Sequence, residues 1–296
     1  MSSNIHVITH SGLDGMGCLL VMLWVFSNDN ITFSHVYSKT DLLEELKKKS
    51  LNSYDKVFIL NLNISAEHLP YIDRPNVIYV SHRNLASNIV LNKAKKITKP
   101  FSSSVLYTYN LFKSQLSNIS NAQKQLIAQI HDYESNQLQF KSSIELSKLF
   151  KAHYTGNSSL FIKDFYNGAH KLTKLQLQAL EIYDRKVTDT IDNLIVFEAT
   201  AFIQGASRYI IAAFAEYADE IANFLAKKYN PDVVILVDTK KFRVNFKCNT
   251  KVNIDASILC QLLCDGGGHE SAAEGSLTEK FMTFSKLFQP IKYASS

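Results

Sequence analysis

Glycine is scarce in this chain, with ten in 296 residues, and three of those ten stand consecutively at Gly266, Gly267 and Gly268. Long hydrophobic runs are missing too. A membrane-spanning helix needs about eighteen or more apolar residues in a row; the longest run here, Cys18 to Phe26, has nine and reads as a buried helix. The opening stretch MSSNIHVITH lacks the charged-then-apolar pattern of a secretory signal, which sets a cytoplasmic location and no membrane partner as the expectation. The four cysteines (Cys18, Cys248, Cys260, Cys264) form no Cys-x-x-Cys pair. Cys260 and Cys264, four apart, predict two thiols on one core-facing helix stripe rather than a metal site. Repeats and low-complexity tracts are absent. A net charge of +5 suits an anionic ligand but lacks the dense basic patch of a duplex-DNA binder. The most basic stretch, NKAKKITKP, reads as a solvated loop or helix face.

A hydrophobic content of 46% with 20% charged residues matches a globular chain with a real core. The length favours two domains. Strand-like NIHVITH, ITFSHVY, KVFILNL and NVIYVS alternate with helical stretches, which argues for a parallel sheet covered on both faces. A long region then shows only helical periodicity. Strands return at NLIVFEA, RYIIAAF, DVVILVDT and KFRVNFK. The reading is an α/β chain: an N-terminal parallel-sheet domain over residues 1–140, a helical connector over 141–192 and a smaller C-terminal α/β domain over 193–296. Aromatic stretches such as VLYTYNLF and KDFYNGAH read mainly as core.

Open parallel sheets bind ligands beyond the carboxyl ends of their strands. Those ends carry His10 and Asp14, then Asn61, then Ser81, His82 and Arg83; the helical stretch AQIHDYES adds His131, Asp132 and Glu134. Imidazoles and carboxylates that converge in this way can hold a divalent cation, and each taken singly can equally be a satisfied structural residue. The stretch GGGHESAAEG admits two readings as well. Glycines let backbone N–H groups close on an anion as a nest, with His269 adding a charged donor; the alternative is a tight turn beside a core histidine.

The order of these stretches resembles the DHH/DHHA1 phosphoesterase superfamily, particularly its RecJ-like exonuclease and oligoribonuclease branch. THSGLDGMGC is similar to the family's opening motif, FILNLNIS to its second, VSHR to its Asp-His-His triplet, HDYES to its fourth, and GGGHESAAEG to its C-terminal GGGHxxAAG with one extra residue before the final glycine. The resemblance spans about residues 4 to 277. It implies a DHH-like domain, a DHHA1-like domain, a substrate cleft between the two, and catalysis by two manganese-type ions. Carried over, it implies His10, Asp14, His82 and Asp132 as catalytic residues, with Asp14, Asn61, His82 and Asp132 as metal ligands. It implies Arg83, Arg243, Gly266, Gly267, Gly268 and His269 as contacts to substrate phosphate.

Four positions depart from the family pattern. Gly12, Asn61 and Ser81 stand where the family has aspartates, and Arg83 where it has histidine. Neutral residues weaken a site for two divalent cations, and Arg83 repels cations while attracting phosphate. The expectation is therefore at most one Mn2+ or Mg2+, and a nucleotide or short single-stranded oligonucleotide bound without hydrolysis. The alternative is a surviving single-metal phosphodiesterase acting on short oligonucleotides or cyclic dinucleotides. A fold that has lost its ligand is the third reading. A homodimer or a larger assembly is left open.

Overall fold

β-branched runs that alternate with amphipathic segments fold as the pattern dictates. A computed structural model describes residues 2–82, 89–268 and 270–291, so Arg83 and His269 lie outside the described residues. The chain divides into two compact units, Met1–Glu181 and Ile182–Ser296.

The first unit runs β1 (Asn4–His10), α1 (Leu13–Val25), β2 (Asn30–Val36), α2 (Lys39–Lys48), β3 (Lys56–Leu60), α3 (Leu69–Ile72), β4 (Val77–Ser81) and β5 (Lys95–Thr98). The helices α4 (Ser104–Leu111), α5 (Asn121–Glu134), α6 (Lys141–Leu149) and α7 (Ser158–Phe165) follow, and α8 (Lys174–Asp192) leads into the second unit. The sheet order is β2-β1-β3-β4-β5, parallel throughout. Successive side chains of a strand point to opposite faces. Ile5, Val7, Phe58 and Leu60 thus pack under α1, α4 and α5, while Ile8, Val57 and Ile59 meet Leu42 and Leu46 of α2. Leu42 and Leu46 lie one helical turn apart and are almost wholly buried, each contributing about 2 kcal/mol. The helix α1 takes in most of the apolar run seen in the sequence and is buried nearly all round.

NKAKKITKP differs from the sequence expectation: its centre is the strand β5, paired with β4 from Ile78↔Lys95 to Ser81↔Thr98. It is short, edge-placed and half-exposed, so it carries little apolar signal, and lysines are common on such edges.

The second unit contains β6 (Val196–Ile203), β7 (Ala206–Phe214), α9 (Ala218–Tyr229), β8 (Val233–Asp238), β9 (Arg243–Cys248), α10 (Ala256–Leu263), β10 (Asp265–Gly268), β11 (Ala272–Ser276), α11 (Glu279–Phe284) and β12 (Gln289–Pro290). Its order is β10-β11-β9-β8-β7-β6-β12, antiparallel except where β7 meets β8. One face packs on α9 through Ile221 and Leu225, the other on α10 and α11 through Leu259, Cys260 and Phe281. All four cysteines are buried and unbridged. Among the described residues no helix is long and apolar enough to cross a membrane.

Candidate functional site

The strand order reverses between β1 and β3, and the crevice at their carboxyl ends is where such sheets take ligands. His10 closes β1, and α1 starts so close behind it that Gly15 can carry no side chain: a Cβ there would lie 1.9 Å from the His10 carbonyl oxygen. This tight turn sets Asp14, 7% exposed, in the first turn of α1. Asn61 follows β3 in the left-handed region (φ 56°), which asparagine tolerates, and Ser81 ends β4. The N–H groups of Lys99 and Phe101 donate to the carbonyls of Ser81 and His82, tying the segment after β5 alongside. That segment delivers the N-terminus of α4 to the crevice.

Asp14 meets it there. Its Oδ2 accepts the N–H of Ser104 at 2.9 Å and its Oδ1 accepts the N–H of Val105 at 2.7 Å. Asn61 donates its side-chain amide to Oδ2 at 3.3 Å. The first N–H groups of a helix have no intrahelical partner and carry its positive end. Asp14 thus caps α4 from another helix, and the N-cap residue Ser103 makes no side-chain capping bond of its own. Ser103 Oγ is instead 2.9 Å from His131 Nδ1, and Ser104 Oγ is 2.5 Å from His82 Nδ1. Asp14, Asn61 and His82 are therefore drawn together around Ser104.

Asp132 has a different set of partners. Its two oxygens accept the N–H groups of Gln139 (2.9 Å) and Phe140 (3.1 Å), closing the loop that leads into α6. Burial alone would raise its pKa, but these bonds outweigh burial and hold it below the usual carboxylate range. The side chain that α5 sends to the α4 N-terminus is the neighbouring His131. His10 Nδ1 accepts the N–H of Gly12 at 2.9 Å, which commits that nitrogen to the turn into α1.

Sequence reasoning passed over Ser103, Ser104 and His35. Three serines ahead of a helix were the available signal for the first two. His35 lies on β2 opposite Thr9, and among the described residues neither of its ring nitrogens has a hydrogen-bond partner. Burial, reinforced by His10, lowers its pKa from 6.5 to about 4. Burial and then Lys49 lower that of His6, on β1, to about 4 as well. Both rings stay neutral in the folded chain while the unfolded chain takes up protons, so stability falls as pH drops from 6.5 towards 4. Thermal melts across this window should show the loss, and it should be smaller in a His6→Gln/His35→Gln variant. A melting temperature that holds steady in the parent chain would contradict it.

In the second unit, Arg243, Asn245 and Lys247 alternate on one face of β9, while Val244, Phe246 and Cys248 are buried on the other. Arg243 donates to the Glu274 carboxylate, and Lys247 donates to the Asn223 side chain on α9. Burial lowers the pKa of Lys247 against the pull of Asp219. The glycine run is an extended edge strand, not the nest that the sequence suggested. Gly266 pairs with Gly275, and a Cβ on Gly266 would stand 2.2 Å from the Glu274 carbonyl oxygen. A Cβ on Gly268 would meet the Ala272 carbonyl oxygen at 2.4 Å, whereas Gly267 faces open space. Packing therefore requires two of the three glycines. Gly267 pairs with Glu274, which pairs with Asn245, so it lies on the face that carries Arg243 and Lys247.

No family model matches the sequence. No curated protein matches it either. Solved structures do. The DHH domain of a member of a ribosomal-protein family is similar over 96% of this chain and 86% of its own, with a TM-score of 0.66 at 11% identity. RecJ from Thermus thermophilus, in complex with Mn2+, is similar over 96% of this chain with a TM-score of 0.62 at 11% identity; this chain spans only 51% of its length. The pGpG-specific phosphodiesterase PggH from Vibrio cholerae is similar over 95% of this chain and 96% of its own, with a TM-score of 0.56 at 14% identity. The fold is that of the DHH/DHHA1 phosphoesterases.

RecJ, which is similar in fold, holds Mn2+ or Mg2+, and the donors at the strand-end crevice of this chain fit a divalent ion poorly. Both Asp14 oxygens accept backbone N–H groups, Asn61 turns its amide donor towards Asp14, and Asp132 is engaged by its own loop. Among the described residues no three His, Cys, Asp or Glu side chains are grouped to hold a metal ion.

Proposed function

We propose that this protein binds the phosphate of a nucleotide or short single-stranded oligonucleotide on a DHH/DHHA1 frame and does not hydrolyse it. The observation that carries the reading is the capping of α4 by Asp14. The carboxylate that the resemblance makes a metal ligand is spent on the positive end of a helix, which leaves less negative charge to hold a cation. The sequence also favours an anion: Arg83, the residue after His82, is permanently charged. His82 is then a positioning residue for Ser104 and α4. The similarity to PggH, a pGpG-specific phosphodiesterase, supports a nucleotide phosphate as the ligand class.

In the second unit we assign phosphate contact to Arg243, with Gly267 as the open floor beside it and His269 following in sequence. Glu274, the extra residue in GGGHESAAEG relative to the family pattern, already holds Arg243. An incoming phosphate must displace that carboxylate. Arg243→Ala should weaken binding of a 5′-phosphorylated dinucleotide in EDTA by about tenfold or more, and Glu274→Gln should tighten it. Calorimetric titration of the full chain reads both. Equal affinity in parent and both variants would remove Arg243 from the site, and Mn2+-dependent cleavage of the dinucleotide would favour the single-metal phosphodiesterase.

A further inference from the structure

Beneath the glycine hairpin lies a pair of thiols for which the site described above has no use. Cys260 sits in α10 and is fully buried; Cys264 is the residue that ends the helix and is 4% exposed. The Cys264 N–H donates to the Cys260 carbonyl at 2.7 Å as the last bond of the helix. Beyond it the backbone of Cys264 is extended (φ −137°, ψ 163°), so its side chain is not confined to helical geometry. Residues i and i+4 of a helix share a face, and the two side chains converge on one point, since a Cβ built on Gly275 would touch both Cys264 Cβ and Cys260 Sγ. Each thiol shifts the other: Cys264 lowers the pKa of Cys260 against the effect of burial, and Cys260 together with burial raises that of Cys264. The thiol with the lowered pKa supplies the thiolate, the form that attacks an oxidant.

Two further observations give this pair an entrance and a target. Cys264 lines a cavity of about 260 Å3 with Gln261, Asp265, Thr278 and Lys280, room enough for a small peroxide. The thiols also press on the crossing of the hairpin. A Cβ on Gly266 would lie 2.8 Å from Cys260 Sγ, and one on Gly275 would lie 2.6 Å from Cys264 Cβ and 2.9 Å from Cys260 Sγ. Gly266 and Gly275 are themselves a cross-strand pair. Any movement of the sulfurs towards each other is therefore transmitted to β10 and β11.

We propose that Cys260 and Cys264 are a reversible dithiol–disulfide pair, oxidised by a small peroxide, whose closure alters the β10–β11 hairpin. One thiolate attacks the peroxide and breaks its O–O bond, leaving a sulfenic acid and releasing hydroxide, which is protonated to water. The second thiolate attacks the sulfenic sulfur, forms the S–S bond and expels a second hydroxide, which takes the remaining proton. Overall the two thiols lose two electrons and two protons and the peroxide becomes two waters. A dithiol reductant reverses the step.

The proposal stands whatever the hairpin binds. The folded full-length protein is treated with hydrogen peroxide, quenched in acid, alkylated under denaturing conditions and peptide-mapped. The expected result is loss of alkylation at Cys260 and Cys264 together, a bridged peptide restored by dithiothreitol, and full alkylation at Cys18 and Cys248. Bridging should vanish in Cys260→Ser and in Cys264→Ser and persist in Cys248→Ser. Hydrogen exchange of the oxidised parent should show reduced protection over residues 265–268 and 272–276. Thiols that stay alkylatable after peroxide, over-oxidation of Cys264 with Cys260 untouched, or a bridge that leaves hairpin exchange unchanged would each overturn it.

Discussion

Asp14→Ala should destabilise the first unit by about 3 kcal/mol or more, the largest effect expected of any single substitution in the crevice. Removing the carboxylate leaves the Ser104 and Val105 N–H groups buried at a helix start without an acceptor, and it strands the Asn61 amide as well. A hydrogen bond to a charged group contributes about 1.5–3 kcal/mol, and an unpaired buried donor costs its full desolvation penalty. Asp14→Asn keeps one acceptor oxygen but turns an amide donor towards other donors, so its stability should fall between those of the parent and Asp14→Ala. The measurement is clean because the chain has one tryptophan, Trp24. It is 8% exposed in α1 and donates its indole N–H to the Tyr166 carbonyl, so its fluorescence during urea unfolding reports on the first unit. A carboxylate kept only to hold a cation behaves in the opposite way. Its removal would relieve unbalanced charge and leave the unfolding midpoint unchanged or higher.

The second large effect separates the three glycines. Gly266→Ala forces a methyl group against the Glu274 backbone and the Cys260 sulfur, in a strand whose partner residue is itself glycine. Overpacking of this kind costs about 1–3 kcal/mol, and here the obstructing atoms are backbone, which cannot rotate aside. Gly267→Ala places its methyl group in open space and should stay within about 0.5 kcal/mol of the parent. Calorimetric melting of the second unit distinguishes them. Equal losses at both positions would mean that the run serves something other than strand pairing.

Much of the fold could be read from β-branched alternation, because β1 to β4 and β6 to β9 carry apolar faces buried against helices. The strand β5 escaped notice because an edge strand of lysines buries little. The hairpin β10–β11 escaped because DGGG and AAEGS lack strand-forming side chains and are held by pairing with β9. At the site, His10, Asp14, Asn61 and His82 were legible as strand-end residues, but their partners were not. The bond from Ser104 to Asp14 joins residues 90 positions apart, and no local pattern announces which side chain will cap which helix. Asp132 and His131 are adjacent in sequence, yet only the imidazole reaches the α4 N-terminus, because the loop after α5 turns back and takes the carboxylate. The pairing of Arg243 with Glu274 follows from β9–β11 register, which sequence alone does not provide.

The most direct test of an anion site in place of a metal site is calorimetric titration of the full chain with a 5′-phosphorylated dinucleotide, first in EDTA and then in Mn2+. Binding of equal strength in both, with the dinucleotide recovered intact, is the expected result. Binding that appears only with Mn2+ and is followed by cleavage would contradict it.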